Sequence, residues 1–142
     1  MPPDQIDELA CYVKGLDADV VVVPGETVFE HVAPGTNAAA QSSAYVDILA
    51  LRLDYGRGGT FRPARNGVFL EITSRCGHNR MNGHALSAAR RAVVEVVVQS
   101  DAHAPDDLMS GRVQYHSCAR NGVSEEEVQR ALSRTVEELL SI

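Results

Sequence analysis

The sequence predicts an α/β fold of parallel strands joined by crossover helices, and three observations carry that prediction. Short Val-rich runs alternate with helical stretches, the signature of βαβ units. The runs are nearly continuous in Val, Ile and Leu, as expected of a sheet covered on both faces. Polar residues able to do chemistry follow the runs directly, where α/β folds gather their ligand groups. Four strands do not close a barrel by themselves, so the pattern reads as an arc of a larger fold. The 142 residues suit a single domain with a real core.

In chain order, Asp4 to Gly15 reads as a helix. Asp4 is placed to cap it, Ile6, Leu9, Ala10 and Val13 share one face, and Gly15 suits the left-handed C′ position. Asp19 to Val23 is the first strand, stopped by Pro24-Gly25. Turn formers over Ala33-Pro34-Gly35-Thr36-Asn37 lead into a short Ala-rich helix. Val46 to Leu49, Gly67 to Ile72 and Val94 to Val98 supply the second, third and fourth strands. Asn82 to Ala92 is helical, with Leu86 and Ala89 inward. Ser124 and Glu127 form a capping box that opens a closing helix, with Val128, Leu132, Val136 and Leu140 on its apolar stripe. Residues 51–65 break the pattern. Gly56, Gly58, Gly59 and Pro63 fall where a crossover helix belongs, so this segment is expected to be irregular.

Composition narrows the classes of function. The apolar and charged fractions, 44% and 23%, are ordinary for a globular protein. No apolar run approaches the ~18 residues of a membrane span, and the acidic, polar start at Met1-Pro2-Pro3-Asp4 does not read as a targeting segment. Cys11, Cys76 and Cys118 are scattered and odd in number, which suggests reduced thiols and a cytoplasmic setting. The net charge of −6 speaks against duplex nucleic acid as the main partner. Yet residues 51–91 hold eight arginines against Asp54 and Glu71. Such a basic region either attracts phosphate-bearing ligands or, for Arg57, Arg62 and Arg65, is a solvated loop.

Four clusters at strand ends could carry chemistry. Asp101 and His103 follow the fourth strand two residues apart, so a hard oxygen and a borderline nitrogen could both reach one divalent ion such as zinc, manganese or iron. A chance surface pair is the competing reading. Glu71 sits within the third strand, either as a ligand or base or on a wet face that alternation would let it share with Phe69. Arg75, His78 and His84 lie in a loop that precedes a helix, a setting able to grip phosphate. Cys76, His78 and His84 match no standard zinc spacing, and an exposed polar loop remains open. Glu26 follows the first strand and could face the same site.

In their order along the chain, VVVPGET (21–27), APGTN (33–37), VDILA (46–50), NGVFLEIT (66–73), RCGHNRMNGH (75–84) and SDAHAPDDL (100–108) resemble consecutive blocks of the PHP (polymerase-and-histidinol-phosphatase) metallophosphoesterase superfamily. The nearest branch is that of the stand-alone histidinol-phosphatase-like proteins, whose closing helix the NGVSEEEVQRALSRTVEELL tail also resembles. The resemblance covers nearly everything outside 51–65. It implies a distorted β/α barrel, a cluster of two or three divalent metal ions, and hydrolysis of a phosphate monoester. By position it implies metal-ligand roles for Asp101 and His103, a catalytic carboxylate at Glu71, and substrate-phosphate contacts from Arg75, His78 and His84.

The chain also departs from that pattern. The family's opening strand with its H-x-H, and the next His and Glu, precede the blocks matched here. Two further family histidines fall on Pro24 and Leu51, neither of which can ligate a metal. The resemblance therefore implies a truncated, impaired phosphoesterase, or a non-catalytic remnant that binds a phosphorylated ligand or a partner chain. An exposed, apolar sheet edge would favour a homo-oligomer or a separate N-terminal half. Residues 51–65 differ wholly in composition from the family, as a local shift of reading frame restored near Asn66 would produce.

Overall fold

The computed structural model describes residues 1–26, 32–50, 67–75, 79, 82–108 and 123–140. The irregular segment expected at 51–65 lies outside them, as do Cys76, His78 and Cys118. Four strands form one parallel sheet in sequential order: β1 (Val22–Pro24), β2 (Ile48–Ala50), β3 (Phe69–Thr73) and β4 (Val96–Gln99). This is the α/β architecture that the alternation predicts.

All four strands start later than their sequences suggest, and local hydrogen bonds explain two of the shifts. The Val21 N–H donates to the Asp47 carboxylate at 2.6 Å, while the Val21 carbonyl accepts from Asp47 and Ile48. The ladder therefore begins at Val22. On the fourth strand, the Val94 N–H is taken by the Ala89 carbonyl at 3.0 Å, which holds that residue to the preceding helix. Pro24 ends β1 from within rather than stopping it beforehand; a residue without an N–H is tolerated on an edge strand. Among the described residues β1 pairs with β2 alone. Its burial alternates, with Val23 buried and Val22 43% exposed. The expected coverage of both faces thus fails at this edge. It holds for β2, whose three residues are all buried.

Register builds the core. Leu49 lies beside Leu70, Leu70 beside Val96 and Ile72 beside Val98, all buried. With Val23 they share one apolar cluster with Ile6, Ala10, Ala40, Leu86, Ala89 and Val128 from the helices. Alternation sends Phe69, Glu71 and Thr73 to the other face of β3.

Helix α1 (Ile6–Lys14) buries Ile6 and Ala10, with Val13 packed partly against them. Its apolar stripe is narrower than predicted, because Leu9 is 45% exposed. Asp4 falls inside a 3-10 turn, Pro3–Gln5, and does not cap. Gly15 stays right-handed at φ −66, and the left-handed residue is Asp17 at φ 60. The Lys14 ammonium reaches the Asp47 carboxylate at 2.7 Å. One carboxylate thus ties the end of α1 and the residue before β1 to the start of β2. The expected Ala-rich helix is α2 (Thr36–Ser42).

Helix α3 (Asn82–Ala92) has the predicted bounds and buries Leu86 and Ala89. It ends on Val93, left-handed at φ 54 and 92% exposed, with Val94 bonded back to Ala89. This is a Schellman closure carrying valine where glycine is usual. At the C-terminus the Ser124–Glu127 capping box forms as predicted and opens α4 (Glu125–Gln129). The single closing helix does not follow. A π-helical segment, Arg130–Arg134, separates α4 from α5 (Thr135–Leu140). The wider turn rotates the stripe: Val128 and Ala131 are buried, while Leu140 is 40% exposed. The side chain of Val136 lies outside the described set. No helix among the described residues is long and apolar enough to cross a membrane.

Arg90 of α3 grips Glu127 through both carboxylate oxygens, at 3.1 and 2.8 Å. That fork, then the Ser124 N–H, lowers the Glu127 carboxyl to about 2. A lowered folded-state pKa means stabilisation that is complete above the ordinary value of 4.5 and lost as pH falls toward 2. Glu127→Gln should flatten the pH dependence of urea unfolding in that window and leave its slope elsewhere unchanged. Val93→Gly should raise stability by about 1 kcal/mol in the same assay, since a β-branched residue is strained at positive φ.

Candidate functional site

The C-terminal ends of β3 and β4 are held together by backbone and by one buried amide. Asn82, 2% exposed at the start of α3, accepts the Thr73 N–H at 3.1 Å through Oδ1 and donates Nδ2–H to the Thr73 carbonyl at 2.8 Å. This side chain stands in for a strand neighbour and ties β3 to the first turn of α3. The Ser74 N–H extends the ladder by donating to the Gln99 carbonyl at 3.1 Å. Arg75 then leaves the strand with its N–H on the Thr73 hydroxyl at 3.2 Å. Ser74 is buried, and its hydroxyl has no hydrogen-bond partner among the described residues.

Across from Arg75, β4 ends in a turn centred on Asp101, left-handed at φ 51. Aspartate tolerates that conformation better than most residues. The turn brings Asp101 and His103 round the tip of Arg75. Arg75 Nη1 lies 3.0 Å from the Asp101 carbonyl, 3.4 Å from its Oδ2 and 3.2 Å from His103 Nε2, and it also contacts His103 Nδ1. His103 Nδ1 also lies 2.9 Å from the Asp101 carbonyl, which can only accept, so Arg75 and that carbonyl compete for the same ring nitrogen. His103 Nδ1 lies 3.8 Å from Asp101 Oδ1. Asp107 supports this arrangement from below: its Oδ2 accepts the N–H groups of His103 at 2.9 Å and Ala104 at 3.1 Å. The bond from His103 is the main reason its carboxyl is held below the ordinary range.

The fold therefore brings together three of the residues singled out from sequence: Arg75, Asp101 and His103. Glu71 sits two residues inside the end of β3, level with Val97 and 8% exposed. Its face of the sheet is not wet. Glu26, at the end of β1, directs Oε1 at α2, accepting the Gly35 and Asn37 N–H groups at 2.9 and 3.0 Å. Its own N–H donates to Asn37 Oδ1 at 2.9 Å, so it anchors the β1–α2 connection. His84 is exposed on the first turn of α3. His78 lies outside the described residues. Asn82 and Asp107 escaped the sequence reading. The only signal for Asp107 was an acid shortly after Pro105, and for Asn82 a polar residue at a helix start.

Donor chemistry bears on whether a divalent ion suits this place. The Asp101 carboxylate and the His103 imidazole converge on one positive charge, as two metal ligands must, but that charge belongs to Arg75. Among the described residues no group of three or more His, Cys, Asp or Glu side chains is placed around one ion. As placed, two donors around a guanidinium do not make up a divalent-ion site.

No family model matches the chain. It is 36% identical over 140 residues to an uncharacterized protein of Methanocaldococcus jannaschii. The match takes in 99% of this chain and 64% of the relative, so the chain spans less than two thirds of that protein's length.

Removing the amide clamp should loosen the whole site. Asn82→Ala leaves the buried N–H and carbonyl of Thr73 unpaired and should lower stability by about 1–3 kcal/mol. Hydrogen exchange should show the Thr73 and Arg75 amides opening faster than those of β2.

Proposed function

We propose that this chain is a PHP-type phosphoesterase unit that binds a phosphate monoester at the C-terminal ends of β3 and β4. The convergence of Arg75, Asp101 and His103 at one sheet edge carries this reading. Its sequential parallel sheet is what an arc of a β/α barrel would present there. Asp101 and His103 would hold a divalent zinc, manganese or iron ion, which when bound activates water and neutralises charge on a phosphoryl group. Arg75 supplies a guanidinium for the phosphate oxygens, and Ser74 brings a further donor to the same strand end. Asp107 fixes the donor-bearing turn. Glu71 serves as a ligand or base from the interior of β3, and the family resemblance supports His78 and His84 as further contacts to the substrate phosphate. Two protein donors are fewer than the three usual for a catalytic zinc, so hydrolysis by this unit is weak or needs donors from another chain or segment.

A second reading, a non-catalytic remnant that binds a phosphorylated ligand or a partner chain, draws support from two features. Arg75 already neutralises the donor pair, and β1 exposes Val22 on an edge that pairs only with β2 among the described residues. That edge could take a second copy or an N-terminal half. The reduced thiols inferred from sequence would place either form in the cytoplasm.

Equilibrium with Mn²⁺ and inorganic phosphate, followed by elemental analysis, separates the two readings. The phosphoesterase reading expects about one bound metal per chain, lost in Asp101→Ala/His103→Ala, together with slow metal-dependent hydrolysis of p-nitrophenyl phosphate. Metal in neither protein would overturn it and leave the binding remnant.

A further inference from the structure

We propose that the free edge of β1, with the flank of α1 beside it, is a two-fold docking surface for a second copy of this chain. The inference goes beyond the phosphoesterase reading and does not depend on it. Among the described residues β1 pairs with β2 alone. The Val21 carbonyl accepts from Asp47 and Ile48, and the Gly25 N–H donates to the Ala50 carbonyl. Residues 21 and 25 thus turn their backbone groups toward β2, and alternation turns those of Val20, Val22 and Pro24 outward. Monomeric proteins guard such edges with charged side chains or proline. Here Val20 to Val23 carry neither, and Pro24 guards only the end of the strand.

The surface beside this edge is apolar. A groove of about 200 Å³ is lined only by apolar side chains, from Met1 and α1 on one side and from Val20 to Pro24 on the other. Met1, Leu9 and Val22 of that lining, and Tyr12 one turn along α1 from Leu9, are 43–64% exposed. Covered on both copies together with the strand backbone, they bury on the order of 1,000 Å², the threshold of a specific interface.

Register selects a second copy as the occupant. A two-fold axis through Val22, normal to the sheet, sets the two strands antiparallel. The Val22 residues of both copies then exchange both N–H···O bonds. Val20 faces Pro24, whose carbonyl accepts the Val20 N–H. The N–H that Pro24 lacks falls opposite the Val20 carbonyl at the open start of the strand, where water reaches it. Charge permits the match as well. Asp19 comes opposite Gly25 and Glu26 opposite Ala18, so no acid meets an acid although each copy carries a net charge of −6. Both α1 helices lie on the same face of the joined sheet, and their apolar flanks close over the seam.

Sedimentation equilibrium of the full chain tests this. The native chain should form a dimer with a dissociation constant of about 1 μM or tighter. Val22→Pro removes the N–H that both central bonds need, at an edge position that tolerates proline in the monomer. It should weaken the dimer by about tenfold or more while thermal unfolding stays cooperative. In a background with Cys11, Cys76 and Cys118 replaced by serine, Val22→Cys should cross-link two chains on mild oxidation. The paired Cα atoms would stand about 5.5 Å apart, within disulfide reach. Val93→Cys, exposed at the end of α3, should not cross-link. A native chain still monomeric at about 100 μM overturns the proposal, whatever the variants do. A dimer that Val22→Pro leaves equally tight, or that Val93→Cys cross-links as readily as Val22→Cys, overturns the β1 edge as its seat. Open-ended growth beyond two copies overturns the two-fold. None of these outcomes bears on hydrolysis of p-nitrophenyl phosphate, so this proposal and the phosphoesterase reading fail separately.

Discussion

Parallel pairing of β3 with β4, from Leu70 beside Val96 to Thr73 beside Gln99, is the constraint on which the rest of the molecule depends. It sets Leu70, Ile72, Val96 and Val98 on the face that the helices cover, and it brings both strand ends to one edge. Because parallel strands all point the same way, the residues that follow them emerge at the same edge. A slip of one residue would turn Glu71 toward the helices and carry Arg75 away from Asp101. Three bonds hold the strand ends, the Ser74–Gln99 ladder bond and the two bonds of the Asn82 clamp on Thr73.

Charged contacts do a different job from the core. Lys14 with Asp47, Arg90 with Glu127, and Arg130 with Glu95 and Glu126 are all partly exposed. Such pairs contribute little stability individually. Their value is positional, because all but the Arg130–Glu126 pair link separate elements of the fold. Asp47 registers α1 and β1 against β2, and Glu127 fixes the closing helices on α3.

Backbone strain has two meanings here. Val93 adopts a left-handed conformation at an exposed helix end, where a glycine would do the same work at lower cost. Asp101 adopts it at the tip of β4, where the conformation turns its carboxylate and His103 around one cation. Strain at the first position serves only to close a helix. At the second it creates the convergence that gives the site its chemistry.

The α/β class, the presence of four strands, the bounds of α3 and the Ser124–Glu127 capping box were all legible in the sequence. Each rests on contacts between residues close along the chain, or on a periodicity that local geometry enforces. Arg75, Asp101 and His103 were legible as candidates for the same reason, since strand ends can be located from apolar runs. The partner each would choose was not. Whether Glu26 faces a ligand or anchors α2, whether Glu71 is wet or buried, and whether Asp101 and His103 face a metal or a guanidinium depend on residues far away in the chain. Asp101 lies 26 residues from Arg75 and His103 lies 28. Long-range contacts of that kind are settled by sheet register and by competition among polar groups for the same lone pairs, which only the tertiary structure decides.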